Sequence, residues 1–125
     1  MPDAFGINQY FTYRLHNPIP VKPQLTREQR QEFEDLFTRV FIYGTEERGN
    51  NAIQRSQERL RNMGVAPTLI QTFMNRINQL RALTHQFNQG ELYDRNNVER
   101  FIQAHTNYRQ WFINFGIRES VFNSQ

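Results

Sequence analysis

Four stretches of this chain carry apolar residues at three- and four-residue spacing, and each runs up to a glycine: Gly44, Gly64, Gly90 and Gly116. No other feature constrains the fold as much. Apolar positions at i, i+3, i+4 and i+7 give a helix one dry face and one wet face. A glycine just past the last such position can take the left-handed conformation that ends a helix. The spacing predicts helices over about 26–43, 52–63, 67–88 and 97–115. No strand-like alternation of useful length interrupts them. Four helices with short connections point to an all-α fold, an antiparallel four-helix bundle. The tight connection Gly64–Ala66 makes the second and third helices antiparallel neighbours.

The starts of the helices are marked as well. Thr26 with Gln29, Asn51 with Gln54 and Asn96 with Glu99 have capping-box spacing, and Pro67 suits a first turn. The first seam is Phe33, Leu36, Phe37, Val40 and Phe41, with Asp35 and Arg39 spaced for an i,i+4 pair. The second seam is thin: Ile53, Leu60 and Met63. The third is Ile70, Phe73, Ile77, Leu80, Thr84 and Phe87. The fourth is Val98, Phe101, His105, Tyr108, Phe112 and Phe115, widened by Ile102, Ala104 and Trp111. Hydrophobic residues make up only 38% of the chain, but eleven are phenylalanine. A compact aromatic core is therefore expected.

The length suits one domain with three parts: residues 1–25, the helical domain 26–116 and a tail 117–125. The first part differs from the rest. It holds Phe5, Tyr10, Phe11 and Tyr13, followed by Pro18, Pro20 and Pro23. Prolines at that density favour an extended, polyproline-like arm. Four aromatics need a surface to lie on, so the arm either staples its own helices or crosses to a neighbouring subunit. The tail offers Ile117, Val121 and Phe122 for docking.

Several classes of chemistry lack the residues they need. Without cysteine there are no disulfides and no thiolate zinc sites. No apolar run approaches the roughly 20 residues of a membrane span, so no membrane partner is expected. The first residues lack the basic-then-apolar layout of a signal peptide. The expectation is a soluble intracellular (cytoplasmic) protein, or part of an assembled particle, and not a secreted one. His16, His85 and His105 have no histidine or carboxylate at i+3 or i+4, so no helical metal motif exists. His105, on the apolar seam, reads as a hydrogen-bonded core histidine. Glu91 and Asp94 read as solvated turn residues. No nucleophile, acid and base converge, so the chain is read as no enzyme, with no cofactor and no small-molecule substrate.

Fourteen arginines and a single lysine, Lys22, supply the side-chain positive charge. Arginine grips carboxylates and phosphates through a rigid, permanently charged fork. Residues 26–47 hold three arginines against six acids, a net of −3, whereas residues 59–90 hold four arginines and no acid. Either the two blocks pair inside the fold, or the basic block binds an anion. Arg48, Arg55, Arg59, Arg61, Arg76 and Arg81 are the candidate anion- or nucleic-acid-binding residues.

Phe73 and Arg76 stand three apart on the third helix, and Arg109 follows 33 residues later on the fourth. That pattern resembles the helix pair of coat proteins from rod-shaped plant viruses. Those are four-helix bundles rich in Arg, Asn and Gln that stack around RNA. The resemblance covers about 45 residues and implies a phosphate-contacting role for Arg76. The sheet-forming segment that joins the helix pairs in that family has no counterpart here.

The residues together predict a structural or assembly subunit, whose partner is itself or a larger assembly. The fourth helix is apolar around much of its circumference, the Asn and Gln side of the third resembles an interface rim, and the arm needs a docking surface. Phe5, Tyr10, Phe11, Tyr13, Trp111 and Phe122 are the candidate partner-binding residues. Two alternatives are a coat or nucleoprotein-like subunit packaging RNA or DNA, and a monomeric regulatory module with a helix-lined groove.

Overall fold

The computed structural model describes residues 22–43, 47–89 and 95–123. Their regular structure is all helical, with α1 Arg27–Tyr43, α2 Glu47–Asn62, α3 Pro67–Gln89, α4 Arg95–Phe115 and a short α5 Ser120–Asn123. Gly44, Gly90 and the arm residues Phe5, Tyr10, Phe11, Tyr13, His16, Pro18 and Pro20 lie outside the described residues. Among the described residues, no helix is long and apolar enough to cross a membrane.

Local signals set the helix ends. Thr26 Oγ1 accepts from the Gln29 amide at 3.1 Å, and Gln29 Oε1 accepts from the Thr26 amide at 2.8 Å. This reciprocal capping box starts α1 where the sequence places it. Gln29 Nε2 also donates to the Met63 carbonyl at 2.8 Å, tying the start of α1 to the end of α2. We expect Thr26→Ala to lower stability by about 1 kcal/mol in urea unfolding.

Both described glycine stops are Schellman motifs. At the end of α2 the Val65 amide reaches the Leu60 carbonyl and the Gly64 amide reaches that of Arg61, with Gly64 at φ +88. At the end of α4, Ile117 reaches Phe112 and Gly116 reaches Ile113, with Gly116 at φ +127. The hydrophobic contact that accompanies such motifs is supplied by buried Val65 with Leu60 and buried Ile117 with Phe112. A Cβ on Gly64 would meet open space. Any cost of Gly64→Ala is therefore conformational, and about 1 kcal/mol is expected by thermal melting.

Two expected starts are corrected. α2 begins at Glu47, not near 52, so Asn51 and Gln54 sit inside a helix rather than at its cap. The run Gly49–Asn51 reads locally as a turn, but packing of α2 along α1 overrides that propensity. α4 begins at Arg95, two residues before the expected Asn97.

The core is aromatic. Phe33, Phe37, Phe73, Phe112 and Phe115 are fully buried, together with Leu36, Val40, Leu60, Ile70, Ile77, Leu80 and Ile117. Phe33 lies 4.7 Å from Phe73 and 4.9 Å from Phe115, ring centre to ring centre, and Phe37 lies 5.0 Å from Phe112. Several of these pairs meet edge-to-face, the orientation that ring quadrupoles favour. Met63, just past the end of α2, is 37% exposed, and on α2 buried Ser56 lies among the inward positions.

α2 packs mainly on α1, and α3 mainly on α4; contacts of α3 with α1 and α2 are fewer. The core sits where these two pairs meet. The α3–α4 pair extends past it: among the described residues, none of α3 beyond Leu80 and none of α4 before Trp111 is buried.

Candidate functional site

The acidic and basic blocks do pair inside the fold, but only in part. Glu32 is buried on α1 and accepts from Arg59 Nε at 2.7 Å, from Ser56 Oγ at 2.6 Å and from Arg39 at 3.0 Å. Burial alone would raise its carboxyl, but the hydrogen bonds from Arg59 and Ser56 outweigh that and hold it below the usual range. Arg39 reaches back seven residues to Glu32 instead of pairing with Asp35 at i−4. The buried carboxylate, with its water removed, is the stronger acceptor.

A second clamp closes the tail. The Arg118 side chain and backbone amide both donate to buried Glu34, with the guanidinium at 2.6 Å and the amide at 2.9 Å. Burial opposes ionisation of Glu34, and these bonds more than offset it, so this carboxyl too lies below its usual range. Phe122 then lies 5.2 Å from Phe37, and Arg109 covers it at 5.6 Å while bonding Glu119 at 2.9 Å. Two of the expected partner-binding residues, Trp111 and Phe122, are thus packed within the chain.

The concave surface lies between α3 and α4. One cavity of about 470 Å³ is lined by Arg76, Tyr108, Trp111, Asn107, Gln110, Asn114 and Ala104. A second, of about 310 Å³, is lined by Leu83, Gln86, Phe87, Asn97, Arg100, Phe101 and Ala104. Ala104 belongs to both, so they form one groove along α4. Its walls hold two arginines, five amides and four aromatic rings, and no carboxylate. The Arg76 guanidinium stands 5.1 Å from the Trp111 ring and 6.0 Å from that of Tyr108, a cation–π arrangement. Trp111 is only 5% exposed, and its Nε1 has no hydrogen-bond acceptor. At the other end, Phe87 stacks on Phe101 at 4.0 Å, with both rings half-buried.

The candidate anion-binding arginines are divided among different environments. Arg59 is bonded to Glu32. Arg55 and Arg61 are exposed on α2, and Arg81 is half-buried on α3. Arg76 lines the groove. Arg48 lies on α2 but its side chain is outside the described set. Arg100, not singled out from the sequence, joins Arg76 in the groove wall. The available signal was its place on α4 one turn from Ala104, facing α3. His105 is half-buried beside Phe101, at 5.5 Å, and burial together with Arg109 pushes its pKa down. No group of three His, Cys, Asp or Glu side chains converges to hold a metal among the described residues.

No protein-family model matches the chain, and neither curated proteins nor solved structures give a match.

Proposed function

We propose that this protein is a non-enzymatic assembly subunit, an antiparallel four-helix bundle that makes protein–protein contacts through α4 and its N-terminal arm. One observation carries the reading. The apolar seam of the α3–α4 pair continues well past the core, where Leu83, Phe87, Val98 and Phe101 stay half-exposed and Ile102 is 57% exposed. A helix pair with that much wet apolar surface gains by covering it. Light scattering on the purified chain tests this. Species well above the 15.1 kDa monomer are expected, reduced on deletion of residues 1–22. A single monomer at high concentration, unchanged by the deletion, would contradict it.

A nucleic-acid-packaging subunit is the second reading. It is favoured by the candidate arginines that have no carboxylate partner among the described residues, Arg55, Arg61, Arg76 and Arg81. It calls for an absorbance ratio at 260 and 280 nm raised by co-purifying nucleic acid. It also calls for salt-sensitive retention of RNA or DNA that Arg55→Ala and Arg76→Ala weaken.

A further inference from the structure

The fold neutralises some of its charges and leaves two sets of opposite sign on different helices. On α1, Glu32 and Glu34 are bonded to Arg39, Arg59 and Arg118, whereas Glu28 and Asp35 are exposed and without an ion-pair partner among the described residues. Glu28 and Asp35 are seven residues apart and therefore lie along one line of the helix surface. The same step again reaches Ile42, 64% exposed. The line thus presents two carboxylates about 10 Å apart, then an apolar side chain roughly 10 Å further on. On the other helix pair, the groove between α3 and α4 carries Arg76 and Arg100 and no carboxylate. Arg76 stands at the level of Tyr108, and Arg100 is eight residues from Tyr108, about 12 Å along the axis. The half-exposed rings of Phe87 and Phe101 lie at the Arg100 end.

We propose that the line Glu28–Asp35–Ile42 of one copy docks into the α3–α4 groove of the next copy, in a head-to-tail contact. The proposal rests on the reading of this protein as an assembly subunit and names the two surfaces that meet. Spacing and sign both match: two anions about 10 Å apart face two cations about 12 Å apart, with an isoleucine directed toward the aromatic end. Asp35 adds a reason of its own. The surrounding protein removes part of its water and Glu32 and Glu34 repel it, so its carboxyl is pushed up despite the pull of Arg39. An incoming guanidinium relieves that. Since two different surfaces meet, every subunit in a growing chain keeps one of each free at the ends. Growth stops only when a ring closes, and otherwise continues as a filament.

Paired charge reversals with sedimentation velocity test this on the full chain. Glu28→Arg with Asp35→Arg removes the line and leaves the groove. Arg76→Glu with Arg100→Glu removes the groove and leaves the line. Each double variant alone is expected to be monomeric. Mixed together, they offer the native contact and its charge-reversed counterpart, so alternating large species are expected to return. Combining all four reversals in one chain restores the large species. Arg76 packs on Trp111, so the exposed Arg100→Glu alone serves as the variant that folds in any case, with a weakening of at least tenfold expected. Oligomers that persist in both double variants would overturn this contact while leaving the assembly reading intact; a monomeric wild type would remove both. A mixture that stays monomeric would overturn the pairing of line with groove. If only the groove variant loses binding of a labelled single-stranded oligonucleotide, with oligomers unchanged, the groove serves a polyanion and the proposal fails.

Discussion

Phe73→Ala is expected to lower stability by about 3–5 kcal/mol, a large part of what a domain of this size has. Phe73 is fully buried on α3 and touches the rings of Phe33, Phe112 and Phe115. These belong to α1 and α4, so truncation opens a cavity where the two helix pairs meet. The surrounding rings are rigid and mutually packed, which limits collapse into the space. The melting midpoint should fall by roughly 10–20 °C. Phe73→Leu retains most of the buried volume and should cost less than half as much. Phe87→Ala is the control. It removes a ring of the same size on the same helix, but from the half-exposed extension, where about 1–2 kcal/mol is expected. Equal losses at Phe73 and Phe87 would mean that the core does not end at Leu80.

The Phe73 result tests the part of the fold that is most legible in the sequence. Phe33, Phe37, Phe73, Phe112 and Phe115 all lie on seams with three- and four-residue spacing, and all are buried. Gly64 and Gly116 were readable for the same reason, since only a residue without Cβ takes positive φ at no cost. Periodicity does not say where a core stops. Val98, Phe101 and His105 continue the α4 seam without interruption, yet among the described residues α3 is the main element packed along α4 there. Charge pairing was legible only as blocks. That Glu32 takes Arg39, Arg59 and Ser56, while Asp35 three residues later takes none of them, follows from which side of α1 meets α2. That choice is made by tertiary contact. Ser56 carried no signal at all: a serine on a polar helix reads as solvated, and it is buried because it donates to Glu32.

The groove was half legible. Arg76 stood out by its place in an acid-free stretch, but Arg100 directly follows Glu99 and did not stand out. The structure puts it in the groove wall with no carboxylate in ion-pair reach among the described residues. Opposite charges close in sequence are not paired when the helix turns them to different sides. Exposed Glu28 and buried Glu32 share one side of α1, a turn apart, and differ because only Glu32 meets Ser56 and Arg59 of α2.

Glu32→Gln is expected to cost about 2–3 kcal/mol and to change how the protein responds to acid. Breaking a buried ion pair by removing one partner typically costs about 3–5 kcal/mol. Arg59 and Arg39 both keep part of their side chains in water and can turn outward, so the lower figure applies here. Gln offers one acceptor oxygen where the carboxylate serves two arginines and the Ser56 hydroxyl. The sign of the pH effect follows from the direction of the shift. Glu32 is held below its ordinary value of 4.5 in the folded chain, so folding favours the ionised form. Its contribution is complete above pH 4.5 and is lost as the pH falls below that through the depressed folded value. Glu34 behaves in the same way against Arg118. Urea unfolding of the wild type should therefore weaken steeply between about pH 5 and 3. Glu32→Gln should begin less stable at pH 7 and show a shallower slope across that window, and adding Glu34→Gln should flatten it further. A wild-type slope unchanged in Glu32→Gln would mean that the carboxylate titrates no differently in the folded and unfolded chains. The Arg39, Arg59 and Ser56 bonds would then hold nothing that unfolding releases.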